Sequence, residues 1–245
     1  MYIDLNCDMG EGMITDEKIM PFISSANIAC GFHAGNLETM KATTALALQH
    51  HVAIGAHPGF NDKANFGRTE IQLTAKEFYE LISIQIIQLH KICVDAKTIL
   101  HHVKPHGALY NMAAKDKQMA ATIAQAVKDV NEELIVYGLC GSYLISEAKA
   151  VGLKTASEVF ADRTYQDDGG LTSRKEKNAL IENDDDAIEQ VLQMIEYKTV
   201  KTISDKNISI NAETICLHGD GKHAVDFAKK IRHTLKEKNI VIKTI

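Results

Sequence analysis

Short β-branched or apolar runs alternate with longer stretches of helical periodicity from one end of the chain to the other, and almost every short run ends in His, Asp, Asn or Glu, often beside Gly. Alternation of this kind builds βα units on a parallel sheet, and ligands of parallel α/β folds sit at the carboxyl ends of the strands. The predicted strands are Tyr2–Asp8, Asn27–Gly31, Val52–His57, Ile99–Lys104, Leu134–Leu139, Lys154–Phe160 and Thr214–His218, about seven in all and close to the eight of a complete barrel. Helices are predicted over Leu37–His50, from a Thr74/Glu77 capping box through Leu81, Ile82, Ile86 and Leu89, and over Lys117–Val130, Ser142–Val151, Asp185–Tyr197 and Lys222–Lys238. Longer loops are expected at Glu11–Pro21, Phe60–Leu73 and Asp162–Asn183. A chain of 245 residues suits one such barrel, so a single domain over 1–245 is expected.

Residue parity says which way the polar groups point, because alternate side chains of a strand face the same side. Asp4, Asn6 and Asp8 share one face against Leu5 and Cys7; His102, Lys104 and His106 oppose Val103; Glu158 pairs with Asp162, and His218 with Asp220. In a closed barrel the apolar face meets the helices, so the polar face is expected to point at the axis. Imidazole serves equally as a general acid/base and as a metal ligand, which leaves both roles open for His33, His57, His106 and His218. No HExxH spacing occurs; if a metal is bound, Asp8, His33 and His57 are the expected ligands. Lys104, an inward cation, suits a substrate carboxylate or a polarised carbonyl, and Arg163 after Asp162 is a further candidate for substrate. Asp167 and Asp168 read as turn residues, and Asp184–Asp186 as the acidic start of a helix.

Several function classes are disfavoured. A net charge of −5 argues against nucleic acid or an anionic membrane as partner. No export signal or long apolar segment is evident, so a cytoplasmic location is expected. Five dispersed cysteines, none in a CxxC pair, read as reduced thiols; Cys7 and Cys30 carry the helix-facing parity and are expected to pack. Neither GxxxxGK[ST] nor GxGxxG after a strand is present, so no familiar nucleotide cradle is expected here.

Laid out in order, the segments 4–12 (DLNCDMGEG), 27–35 (NIACGFHAG), 55–59 (GAHPG), 66–68 (FGR), 103–111 (VKPHGALYN), 158–163 (EVFADR) and 215–220 (ICLHGD) resemble the LamB/YcsF family over almost the whole chain. The resemblance implies a distorted, seven-stranded (β/α) barrel of the glycoside hydrolase/deacetylase type. It also implies ATP-coupled cleavage of the lactam of 5-oxo-L-proline to L-glutamate, in concert with separate B and C subunits that bind most of the ATP. On that basis Asp8, Glu11, His57 and His106 form the expected catalytic set, and Asn6, His33, Lys104, Asp162, Arg163 and His218 the substrate-binding set. The family's Gly-Asp after strand two is Gly35-Asn36 in this chain, so Asn36 is left out of both sets. Two rival readings remain: a metal-dependent deacetylase or carbohydrate hydrolase, and a non-catalytic 5-oxoproline-binding subunit.

Overall fold

The computed structural model describes residues 1–217 and 223–245. In chain order the elements are β1 (Tyr2–Met9), α1 (Asp16–Ile19), β2 (Ser25–Ala29), α2 (Leu37–Gln49), β3 (Ala53–His57), α3 (Ala75–Asp95), β4 (His102–Val103), α4 (Gly107–Lys115) and α5 (Lys117–Val130). They continue with β5 (Ile135–Leu139), α6 (Tyr143–Ala150), β6 (Lys154–Phe160), α7 (Asp184–Leu192), β7 (Thr199–Lys201), β8 (Asn207–Ser209), β9 (Thr214–Leu217), α8 (Ala224–Glu237) and β10 (Val241–Ile242). Strands β1 to β6 and β9 pair in parallel, and β1 also pairs with β9, so among the described residues seven strands close into a barrel.

Parity separates two apolar populations. Leu5, Cys7, Ile28, Ile54, Val103, Val136, Val159 and Ile215 point outward into the main core shared with the helices. Ile135, Tyr137 and Ala156 have the opposite phase and form a small apolar patch of their own. Apart from residues such as Phe160, whose ring centroid lies 5.5 Å from Lys104 Nζ, the rest of the inward face is mainly polar, so the barrel lacks the usual branched aliphatic filling.

Local chemistry explains the helix starts. Thr74 Oγ1 accepts from Glu77 N–H, and Glu77 Oε2 accepts from Thr74 N–H at 2.9 Å, the reciprocal capping box that opens α3 and is worth about 1 kcal/mol. Asn36 Oδ1 accepts from Thr39 N–H at 2.9 Å, so it caps α2. Asn183 caps α7 through Asp185 and Asp186 N–H, and the predicted helix ends as a π-helical turn, Gln193–Tyr197.

Three features differ from the sequence expectation. The strand predicted over 99–104 is shorter, His102–Val103: its bonds to β3 begin only at His101 N–H to Ile54 O (2.8 Å), and Pro105, with no N–H, ends them after Lys104 N–H to Ala56 O (2.9 Å). Helix α4 follows from Gly107, and no helix is predicted there from the sequence. Outside the barrel, β7 and β8 form an antiparallel pair and β10 adds to the start of β1; all three are too short to stand out by periodicity.

Candidate active site

The polar column inside the barrel begins at its amino end. Asp4, fully buried, accepts from Ser24 Oγ (2.6 Å), Ser25 Oγ (2.7 Å) and Thr214 Oγ1 (2.6 Å). Burial nevertheless raises its pKa, with those hydroxyls acting in the opposite direction. One layer up, Asn6 Nδ2 donates to Glu158 Oε1 and Thr214 Oγ1, while Asn6 Oδ1 accepts from Asn27 Nδ2 at 2.8 Å. Asn27 Oδ1 accepts from His102 Nε2, which fixes one ring proton there. His102 occupies the axis because Gly55 faces it without a side chain: a Cβ on Gly55 would collide with the imidazole at Nε2.

Lys104 sits at the centre of the next layer, 2 % exposed. Its Nζ donates to Asp8 Oδ1 (3.0 Å), Glu158 Oε1 (2.8 Å), Asn6 Oδ1 (3.2 Å) and Cys216 Sγ (3.1 Å). Burial disfavours the ammonium, but Asp8, Cys216 and Glu158 outweigh it and hold the pKa well above the ordinary lysine value. Glu158 Oε2 accepts from Tyr110 OH at 2.6 Å, so α4 is tied directly to the barrel interior.

At the carboxyl ends the column opens into imidazoles. His57 donates Nδ1–H to Lys104 O at 2.7 Å; its Nε2 lies 3.3 Å from Asp8 Oδ2 and 2.9 Å from His106 Nδ1. His106 donates Nε2–H to Phe66 O at 2.9 Å, and Phe66 adopts a left-handed φ of 56° to present that carbonyl. His33 stacks on His106 with ring centroids 3.8 Å apart and 4° between planes. Glu11, in the turn pinned by Gly10 N–H to Asp16 Oδ2 (2.7 Å), places Oε1 3.3 Å from both His33 Nε2 and His106 Nδ1 and 3.8 Å from His57 Nε2.

These environments push the ionisations apart. For Asp8, burial acts upward, but His57 and Lys104 win and hold the carboxyl well below its usual range. His57 is opposed by burial yet raised by Asp8, whereas burial and the neighbouring His57 push His106 down to about 3; His33 is also lowered, by burial and by His106. The Asp8 side chain is 20 % exposed and that of His57 1 %, so Asp8 is where solvent reaches the cluster.

The structure thus gathers Asn6, Asp8, Glu11, His33, His57, Lys104 and His106 into one site. Asp162 lies past the end of β6, half-buried, with its carbonyl accepting from Ile181 N–H. Arg163 is buried against the 163–183 loop, donating from Nε to Ala179 O and from Nη2 to Thr172 O. His218 lies outside the described residues. Asn27, Tyr110, Glu158 and Cys216 belong to the column but fall in neither predicted set. Strand parity could have placed Asn27 and Cys216 inward; Tyr110 needs α4, which periodicity does not reveal. Gln85, fully buried on α3, clamps the loop after β3 by accepting from Gly59 N–H (3.0 Å) and donating to Gly59 O (2.9 Å).

The closed parallel barrel is a deacetylase-like (β/α) fold, and it carries a carboxylate–imidazole cluster at its strand ends. A family 4 carbohydrate esterase from Streptomyces lividans is similar in fold alone (TM-score 0.53, 11 % identity, covering 100 % of this chain and 92 % of that one). More specifically, the chain belongs to the LamB/YcsF family, whose sequence pattern matches residues 3–245. It is 52 % identical over 248 residues to the A subunit of 5-oxoprolinase from Tolumonas auensis, covering 99 % of each chain. The crystal structure of the lactam utilization protein from Thermus thermophilus superposes with a TM-score of 0.94 at 35 % identity, over 100 % of both chains.

Proposed function

We propose that this chain is the lactam-opening subunit of an ATP-dependent 5-oxoprolinase and that it works in the cytoplasm with B and C partner subunits. The observation that carries the reading is the Asp8–His57–His106 relay at the strand ends, open to solvent at Asp8, in a chain that matches the A subunit of a named 5-oxoprolinase along its whole length.

A five-membered lactam is a stable amide, so opening it needs an activated carbonyl, an attacking water and a protonated leaving nitrogen. The partners supply activation by transferring the γ-phosphoryl group of ATP to the lactam oxygen, releasing ADP. Within this barrel, Asp8 and His57 take a proton from the water that bonds to the ring carbonyl carbon. His106 gives a proton to the nitrogen as the C–N bond breaks, leaving a glutamyl phosphate, and a second water releases inorganic phosphate. His57 Nε2 and His106 Nδ1 are the atoms that exchange the proton, since each ring's other nitrogen is held by a backbone carbonyl. Asn6, His33, Asp162 and His218 are proposed to bind substrate and Glu11 to orient the imidazoles. The contacts of Lys104 support a role in keeping Asp8 ionised, and those of Arg163 a role in shaping the adjoining loop.

The test is reconstitution with the B and C partners, following 5-oxoproline-dependent ADP formation and glutamate release. Loss of general acid/base catalysis costs about 10²–10⁴-fold, so His57→Ala and His106→Ala should each fall in that range. Wild-type turnover by both variants refutes the assignment. A chain that binds 5-oxoproline by calorimetry while the assembled variants stay fully active is instead a non-catalytic presenter.

A further inference from the structure

We propose that Glu11, His33, His57 and His106 form a binding site for a first-row divalent transition-metal ion, of the zinc or cobalt type. Among the described residues these four offer one ligand atom each, all within 4.8 Å of one another. The set differs from the sequence expectation by taking Glu11 and His106 in place of Asp8, whose carboxylate is engaged by Lys104 and Asn27.

Three observations point to an ion. First, two neutral rings in this arrangement leave a place that only an added proton or a cation can fill. His57 commits Nδ1–H to Lys104 O, and His106 commits Nε2–H to Phe66 O. In two neutral rings that leaves the lone pairs of His57 Nε2 and His106 Nδ1 facing each other at 2.9 Å, with Glu11 Oε1 beside them. Something positive belongs where those lone pairs converge. Second, the spacing fits: bonds of about 2.0–2.1 Å in a tetrahedral site set ligand atoms about 3.3 Å apart, and Glu11 Oε1 lies 3.3 Å from His33 Nε2 and from His106 Nδ1. Third, the outer contacts of His57 and His106, though not of His33, whose Nδ1 is buried without a hydrogen-bond partner, are those of metal ligands, whose remote ring N–H characteristically donates to a backbone carbonyl and fixes the ring's orientation. For His106 that carbonyl is on Phe66, held in a left-handed conformation, and the next residue is Gly67, where a Cβ would come 2.7 Å from His33 Cβ and 2.9 Å from His106 Cδ2. A backbone bent away from its favoured region to hold two stacked imidazoles in place is a built site.

Three imidazoles and one carboxylate are a borderline donor set that suits zinc or cobalt over magnesium or calcium. Bound there, such an ion supplies Lewis acidity toward water or a carbonyl oxygen; it also takes the lone pairs of His57 Nε2 and His106 Nδ1, so the proton exchange proposed between these rings belongs to the metal-free protein and Asp8 is the base left in the loaded one.

The experiment is metal loading of the full-length protein without nucleotide or 5-oxoproline, so that its outcome is independent of the lactam reading. Chelator-treated protein is equilibrated with zinc, desalted and analysed by inductively coupled plasma mass spectrometry; a parallel sample is titrated with cobalt and followed by its visible d–d bands. Wild type should retain one zinc per chain, show the intense bands of a low-symmetry cobalt site and gain thermal midpoint on loading. Glu11→Gln and His106→Gln should each lose at least tenfold in affinity and the thermal gain, whereas the exposed His233→Gln should keep both. Circular dichroism checks the fold, and Glu11→Gln, which preserves side-chain size, decides if His106→Gln does not fold. Wild type with no more zinc than Glu11→Gln, and cobalt that keeps its aqueous spectrum, would mean that a shared proton occupies the position and overturns the site. Reconstituted turnover by zinc-free protein would leave the proposed activity standing.

Discussion

Replacing Lys104 by methionine removes the cation shared by Asp8 and Glu158 while keeping most of the side-chain volume. At separations of 3.0 and 2.8 Å, an effective dielectric near 20 gives about 6 kcal/mol of attraction per contact. Most of that offsets the cost of stripping water from three charged groups. The measurable quantity is the penalty for leaving carboxylates buried without a partner, about 3–5 kcal/mol. An unfolding entropy of about 2.1 cal/mol/K per residue over 245 residues converts this into a midpoint about 6–10 °C lower. The assay is urea unfolding at pH 7.5, with constant m as the check on two-state behaviour. Adding Glu158→Gln should restore about 1–3 kcal/mol, because the second buried charge is gone and Tyr110 OH can turn to accept from the amide. A single variant within 1 kcal/mol of wild type, or a double variant whose loss is simply the sum, would show that the ammonium is not what compensates these carboxylates.

Gly55→Ala should be more damaging than a surface glycine change, since its Cβ would fall inside the His102 ring. His102 must leave Asn27, and a loss above about 3 kcal/mol is expected in chemical denaturation. Gln85→Leu is close in volume but strips both partners from the Gly59 backbone; a loss of about 2–4 kcal/mol should appear together with faster amide exchange at Gly59. Acid titration of metal-free protein should show stability falling from pH 7 to 5. His33, His102 and His106 have folded pKa values below the ordinary 6.5, so across this window the unfolded chain takes up protons that the native state refuses. Each contributes a loss of about 2 kcal/mol. The stability from the raised His57 is complete below 6.5 and lost as pH rises through its folded value, so it adds little slope here, while Asp4, raised by burial, acts in the opposite sense. Flat unfolding free energy over the window would contradict the neutral assignment of these three imidazoles.

Much of this architecture is legible in the sequence because period-two patterning and strand-end polarity are local. The phase of Asp4, Asn6 and Asp8 against Leu5 and Cys7 correctly puts the first set inside and the second under the helices. Helix α5 falls on its predicted bounds because Asp116 and the amphipathic run from Ala120 to Val127 leave no ambiguity. What escapes is relational. Lys104 reads in sequence as a free inward cation, and only barrel closure brings Asp8, Glu158 and Cys216 around it from three other strands. Arg163 reads in sequence as a candidate for substrate, and the bonds of its Nε and Nη2 to the 163–183 loop form only once that loop folds back. Glu11 sits beyond the end of β1, where strand phase no longer says which way a side chain turns. His106 follows the parity of its neighbours, but its partner Phe66 lies 40 residues upstream, and no local spacing could have paired them.

Continuous hydrogen bonding along the barrel axis has a further outcome. From the Ser25 hydroxyl through Asp4, Thr214, Asn6 and Lys104 to Asp8 and His57, every link joins different strands, so the interior cannot be retuned one residue at a time. Substitutions at the floor, remote from any reacting atom, will therefore register as altered protonation at the mouth, and directed evolution of this scaffold will advance through paired changes in distant strands.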